Sequence, residues 1–153
     1  MITGRNRRLL ALLGAVLLAS MMSVFALASP AAASPYWQTY TFTNKWSCEP
    51  RTNSVYWESC IVVNGNYTQA VLIVDNQTGA PQTIGATVNL WQAGNLRSTV
   101  YCYSSTLNTG LTRACFGPTF KAACGVAVQG DNTLYLDWNT VRALSRTELM
   151  CSS

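Results

Sequence analysis

From residue 36 onward, hydrophobic and polar positions alternate in short runs that are separated by turn residues. Alternation with a period of two is typical of a strand that has one buried face. The most apolar run, YTQAVLIVD at 67–75, predicts a central strand, and it follows Asn64-Gly65, a strong hairpin signal. The other runs predict strands at 36–43, 55–63, 84–91, 96–104, 111–116, 120–128, 133–138 and, in preference to a short helix, 141–150.

About nine short strands with turn signals between them predict an all-β domain. We expect a single antiparallel β-sandwich of the immunoglobulin-like kind, and a small closed β-barrel is the alternative. In this arrangement Gly130-Asp131-Asn132 forms a turn. Val71 and Ile73, on the central strand, are expected to fill the core.

The first part of the chain has a different pattern. Arg5, Arg7 and Arg8 precede an almost wholly apolar run at 9–28, which is followed by small residues at 31–33. A basic head, an apolar middle and a small-residue cleavage region are typical of a secretion signal. We expect a signal helix within a cleavable segment at 1–33 and a single domain at 34–153. A cut before Ser29 and a retained membrane anchor are the alternatives.

The net charge of the secreted domain is expected to be small. The chain has ten basic and six acidic residues, and three of the basic ones belong to the signal, so the remaining net charge is +1. The remaining charges form no cluster, whereas phosphate binding requires several cations in one place. We therefore expect an extracellular protein that binds neither nucleic acid nor, after signal cleavage, a membrane.

All six cysteines follow the signal, and an even number in an exported domain predicts three disulfides. Symmetry about the intervening turns favours Cys48–Cys60 and Cys102–Cys115, each across a hairpin, and leaves Cys124 for Cys151. Six cysteines allow 15 pairings, and the sequence does not choose among them. The chain has no histidine and no C-x-x-C pair. We therefore expect no metal site, and no cofactor is indicated.

Two stretches carry a resemblance. QAVLIVDNQTGAPQTIGATVNLW and LNTGLTRACFGPT resemble strand-turn patterns of immunoglobulin-like bacterial sandwich modules. The order of signal, Cys115-Phe116-Gly117-Pro118 and carboxy-terminal cysteine also resembles small secreted actinobacterial proteins of unknown function. The resemblance implies a disulfide-bonded sandwich and supplies no catalytic residues.

The absence of histidine excludes Ser-His-Asp triads and imidazole bases, so we expect no enzyme. Aromatic residues are the enriched class, and we expect an aromatic strand face that binds an extracellular glycan, cell wall or protein. Trp37 and Trp91 lie opposite the apolar positions of their strands and are expected to face solvent. The predicted ligand-binding residues are Trp37, Trp46, Trp57 and Trp91.

Two other functions remain open at this point. One is a secreted inhibitor of an extracellular hydrolase, which would present Arg51 on a rigid loop within Pro50-Arg51-Thr52. The other is a glycoside hydrolase that uses carboxylates alone. For it, Glu49 and Glu58 come closest together in the first predicted hairpin.

Overall fold

The computed structural model describes residues 36–137 and 139–151, and the predicted signal at 1–33 lies outside them. The described chain forms ten strands, and it contains no helix that could cross a membrane. The strands are β1 (Trp46–Thr52), β2 (Tyr56–Asn64), β3 (Tyr67–Asn76), β4 (Gln82–Gln92), β5 (Asn95–Leu107), β6 (Leu111–Phe116), β7 (Phe120–Lys121), β8 (Ala127–Leu136), β9 (Asn139–Leu144) and β10 (Glu148–Leu149).

The strands form two antiparallel sheets. Sheet 1 has the order β1-β2-β3-β6, and the short β7 also pairs with β3. Sheet 2 has the order β10-β8-β4-β5, and β9 also pairs with β8. The chain crosses between the sheets after β3, β5 and β7, a Greek-key arrangement of the kind found in immunoglobulin-like sandwiches. The predicted sandwich is confirmed. The barrel alternative is wrong, because β1 and β5 each end a sheet.

The main core lies between the sheets and is filled by alternate residues of the central strands. β3 contributes Leu72 and Val74, β4 contributes Val88 and Leu90, and each of these side chains is at most 1% exposed. Alternation works this way because successive side chains on a strand point to opposite faces of the sheet. The same periodicity in the sequence therefore identified these strands correctly.

A second, smaller cluster covers the outer face of sheet 1. Val71 and Ile73 are buried there together with Cys60 and Ala114, beneath half-buried side chains that include Trp46. Val71 and Ile73 are thus buried, as predicted, but on the other side of β3 from the main core. The centre of sheet 1 is consequently covered by apolar side chains on both faces.

Four local predictions need correction. Residues 36–43 form no strand, and their strand-like contact is a single bridge between Gln38 and Ala114 of β6. The strand expected at 120–128 is interrupted between β7 and the start of β8, because the chain turns at Gly125 with a positive φ. The expected turn at 130–132 lies within β8. The last expected strand is divided into β9 and β10.

Contacts between the sheets explain why turn-type residues occupy the middle of β8. A Cβ atom at Gly130 would lie 2.7 Å from the carbonyl oxygen of Cys60, so glycine allows β8 to approach β2. Asn132 is fully buried, and its Nδ2 donates to Ser59 Oγ at 3.0 Å and to the Val71 carbonyl at 2.8 Å. These tertiary partners outweigh the local preference of Gly and Asn for turns.

Asn132→Ala is expected to destabilise the domain by about 1–3 kcal/mol, because the Val71 carbonyl and the Ser59 hydroxyl lose a buried donor. Urea unfolding of the variant measures this free energy. Ser59→Ala is the matched control, since Asn132 then keeps its bond to Val71, and it should cost less. An Asn132→Ala variant as stable as the parent chain would contradict this account of the link between sheets.

The three predicted disulfides are confirmed: Cys48–Cys60, Cys102–Cys115 and Cys124–Cys151. Cys48 and Cys60 lie opposite each other in the β1–β2 hairpin, as the symmetry argument required. The hairpin argument was wrong for Cys102 and Cys115. These residues lie on β5 and β6, which belong to different sheets, so their bridge joins the two layers.

Candidate binding surface

Trp57 is not available to a ligand. It lies on β2, is 2% exposed and belongs to the main core, where it is among the largest fully buried side chains. Its neighbours Tyr56 and Glu58 point outward instead, because the strand alternates. Its place among the predicted binding residues is therefore corrected: Trp57 is a core residue.

Trp37 also faces inward, contrary to the expectation that it faces solvent. Its ring is half-buried and packs against the main core, and its Nε1 donates to the Tyr103 carbonyl of β5 at 3.0 Å. The backbone of the next residue, Gln38, bridges β6 of the other sheet. Trp37 therefore covers the open side of the sandwich between β5 and β6, and Tyr36 is the residue that faces solvent.

Trp46 and Trp91 are half-buried as well. Trp46 packs within an aromatic patch on the outer face of sheet 1, with ring centroids 5.8 Å from Tyr40, 5.2 Å from Phe42 and 6.0 Å from Phe116. The Nε1 of Trp91 is buried and without a hydrogen-bond partner. None of the four tryptophans within the described residues is widely exposed, and the structure does not bring them together on one face.

The most exposed aromatic side chains are tyrosines instead. Tyr101 and Tyr103 on β5 flank the buried Cys102, and Tyr135 on β8 lies between the buried Leu134 and Leu136. All three therefore point to the outer face of sheet 2. Tyr36 packs edge-on against Tyr103 with ring centroids 5.6 Å apart. We call Tyr36, Tyr101, Tyr103 and Tyr135 the tyrosine face; they are 62%, 64%, 59% and 43% exposed.

The sheet register fixes the backbone positions of these tyrosines. Tyr135 pairs with Gly85 of β4, and Tyr101 pairs with Thr87. Tyr103 lies beside Gly85, at a register shift between β4 and β5. Strands in a sheet lie about 4.8 Å apart, so the backbones of Tyr135 and Tyr103, on either side of β4, are separated by roughly 10 Å.

Two contacts hold the Tyr135 ring in place. Its hydroxyl lies 2.9 Å from Thr87 Oγ1, one position further along the face. A Cβ atom at Gly85 would lie 3.7 Å from Cδ2 of the ring, so the ring extends over the glycine backbone. The ring therefore lies along the sheet, and its free face points outward.

The outer face of sheet 2 also carries polar groups, together with the exposed apolar side chains of Leu96 and Leu144 beyond the tyrosines. Thr99 Oγ1 donates to Asn89 Oδ1 at 2.7 Å. Arg142 on β9 makes two hydrogen bonds to Asp131, from Nε at 2.6 Å and from the terminal nitrogen at 2.5 Å. These bonds, and next the charge of Asp131, raise the pKa of Arg142 above its ordinary value. Arg142 thus brings no unbalanced charge to the tyrosine face.

Acidic groups also lie on the outer face of sheet 1, on the opposite side of the molecule. The Tyr56 hydroxyl donates to Glu58 at 2.5 Å on the outer face of sheet 1. This hydrogen bond, and then burial, raises the pKa of Tyr56 to about 12 from 10.0. The pKa of Tyr40 is also raised, first by burial and then by the charges of Glu58 and Asp75.

We expect Tyr56 to lose its proton with a midpoint near pH 12 and Glu58→Gln to lower that midpoint toward 10. Because the folded pKa lies above the ordinary one, this bond stabilises the fold below about pH 10, and the stabilisation is lost as the pH rises through about 12. Ultraviolet difference titration of both proteins measures the midpoints. Identical titrations would contradict the assigned partnership.

The residues proposed for the two alternative functions do not occupy the positions that those functions require. Cys48 faces Cys60 across the hairpin, so Glu58 shares their face while Glu49 points to the other one. Glu49 instead pairs with Arg51 and Arg146. Arg51 lies within β1 opposite Trp57, not at a loop tip. The carboxylate pair is therefore not brought together, and Arg51 is not presented by a loop.

One group of possible metal ligands lies close together within the described residues: Cys48, Glu58 and Cys60. The two sulfurs are bonded to each other, so neither is a thiolate ligand. An open groove of about 480 Å³ lies nearby, between the β1–β2 turn and Gln77. Its one acidic side chain, Asp75, already accepts a hydrogen bond from Gln77 Nε2 at 2.6 Å.

The sequence contains a signal that predicts part of the tyrosine face, although only tryptophans were predicted as binding residues. Cys102 was expected to be bonded, and a bonded cysteine is normally buried. Strand alternation about Cys102 then turns Tyr101 and Tyr103 outward. The same alternation about Leu134 and Leu136 turns Tyr135 outward. No comparable signal identifies Tyr36, because its exposure depends on where residues 36–44 pack.

Comparison with known proteins adds little to this geometry. No protein family and no curated protein matches the chain. Among solved structures, the chain is similar to the GAE domain of GGA2p from Saccharomyces cerevisiae, with a TM-score of 0.29 and 11% identity. The match covers 68% of this chain and 97% of that domain.

Proposed function

We propose that the protein is a secreted, non-catalytic binding protein that contacts an extracellular ligand through the tyrosine face. The observation that supports this most directly is the placement of four exposed tyrosines on one side of the sandwich. Tyrosine provides a large amphipathic contact surface and has few rotatable bonds to immobilise on binding. Anchoring on a rigid sheet lowers the entropy cost further.

Secretion is part of the proposal and is supported by two features. The sequence of residues 1–33 has the pattern of a signal, and three disulfides are typical of oxidising compartments outside the cytosol. The relation to small secreted actinobacterial proteins belongs to the same proposal and rests on the sequence pattern.

The test uses the double variant Tyr101→Ala/Tyr103→Ala and measures its retention on purified bacterial cell walls. Both side chains point to solvent, so the melting temperature should stay close to that of the parent chain while retention falls by about tenfold or more. Tyr67→Ala is the matched control, because Tyr67 is a comparably exposed tyrosine on β3 of sheet 1. Equal retention of all three proteins would contradict the proposed surface.

A further inference from the structure

We infer that the ligand of the tyrosine face is a neutral polysaccharide chain that lies across the strands of sheet 2 and stacks on Tyr135 and Tyr103. This inference rests on the proposed function and names the chemical class that the face accepts. It follows from three properties of the face: the orientation of the rings, their spacing and the charge between them.

The orientation suits stacking. The ring of Tyr135 extends over Gly85, and its hydroxyl is held by Thr87 at 2.9 Å. An aromatic face carries negative partial charge, which attracts the weakly positive C–H groups on the flat side of a sugar ring. A ring that is already fixed in this position loses little freedom when a sugar stacks on it.

The spacing suits a chain of sugars. Tyr135 and Tyr103 belong to strands on either side of β4, whose backbones are roughly 10 Å apart, so a sugar chain that crosses β4 passes over both positions. The Gly85 position between them has no side chain, so the Tyr135 ring lies over β4 and continues the row toward Tyr103. Tyr36, against Tyr103, extends the row by a further aromatic ring.

The polar groups on the face suit sugar hydroxyls better than an anionic polymer or a protein. Thr99 and Asn89 offer hydroxyl and amide groups, and Arg142 is neutralised by Asp131. An anionic wall polymer requires several uncompensated cations, which this face lacks. A protein partner would favour an apolar centre, but the positions between the tyrosines are glycine and threonine.

The free edge of β5 offers no better docking site. Among the strands that the structure describes, this 13-residue strand pairs only with β4, and such an edge would invite a further strand. Its register with β4 shifts twice, near Gly85 and near Trp91, and Arg97 lies within the second shift. Bulges and charges of this kind protect an edge from pairing, so the face of the sheet remains the available surface.

Native affinity electrophoresis tests the inference with soluble neutral polysaccharides (hydroxyethylcellulose, xylan and galactomannan) and with alginate as the anionic control. We expect at least one neutral glycan to retard the parent chain and alginate to leave it unretarded. Tyr135→Ala should weaken binding by about tenfold or more, as for loss of a stacking ring. A smaller loss of binding is expected for Thr87→Val and Tyr135→Phe, because each removes the hydrogen bond that holds the ring but keeps the ring itself. Binding should be unchanged in the control variant Tyr67→Ala. Melting curves confirm that each variant is folded.

Two results would overturn the inference. One is no retardation by any neutral glycan, or equal retardation by alginate. The other is binding that Tyr135→Ala leaves unchanged. If the first occurs while the Tyr101→Ala/Tyr103→Ala variant still loses retention on cell walls, the proposed binding surface stands and only the ligand class is wrong. If that variant keeps its retention as well, the proposed function falls with the inference.

Discussion

Complete reduction of the three disulfides should unfold the domain at about 37 °C, where loss of native bridges often abolishes folding. The bridges span sequence separations of 12, 13 and 27 residues. In the chain-entropy model each such loop is worth about 3–3.5 kcal/mol, and a domain of this size has roughly 5–15 kcal/mol in total. Circular dichroism with and without strong reductant measures the loss. An unchanged melting temperature would show that the core suffices without the bridges.

The order of reduction follows from burial. Cys124 is exposed, whereas Cys102 and Cys115 are 4% and 0% exposed in the main core. Mild reductant should therefore open Cys124–Cys151 first and Cys102–Cys115 last. Alkylation during partial reduction, followed by peptide mass mapping, shows which thiols have been released. Early alkylation of Cys102 would mean that the sandwich opens before its tail is released.

The second large effect is expected at Trp57. Its ring fills the space between the sheets, so Trp57→Ala should leave a cavity and lower the free energy of unfolding by about 3–5 kcal/mol. Trp46→Ala is the matched control, because Trp46 is half-buried in the aromatic patch outside the main core, and its loss should cost less. Urea unfolding compares the two. A larger loss at Trp46 would place the dominant core on the outer face of sheet 1.

Much of the sandwich could be predicted because its central strands carry local signals. β3 and β4 alternate, or are wholly apolar, between clear turn residues such as Asn64-Gly65, whose glycine adopts a φ of 61° in the hairpin. Residues 36–43 alternate equally well but form no strand. Some of their side chains pack against the open side of the sandwich between β5 and β6, and the others face solvent. This alternating burial in an irregular segment produces the same sequence pattern as a strand.

Contacts across the sandwich caused the remaining errors. Gly130 and Asn132 look like turn residues, but a close approach to Cys60 and a hydrogen bond to Val71 keep them within β8. Cys102 and Cys115 were paired correctly from a hairpin that does not exist. Trp37 was expected to face solvent because alternation separates two faces without stating which face the other sheet covers.

The most direct test of the tyrosine face is nuclear magnetic resonance mapping of the labelled protein during titration with a polysaccharide that retards it. We predict that amide and ring shifts concentrate on the outer face of sheet 2, at Tyr101, Tyr103 and Tyr135 and at Thr87 beneath them. Shifts concentrated on the aromatic patch of sheet 1, around Tyr40, Phe42 and Trp46, would contradict the account and move the binding surface to the other side of the molecule.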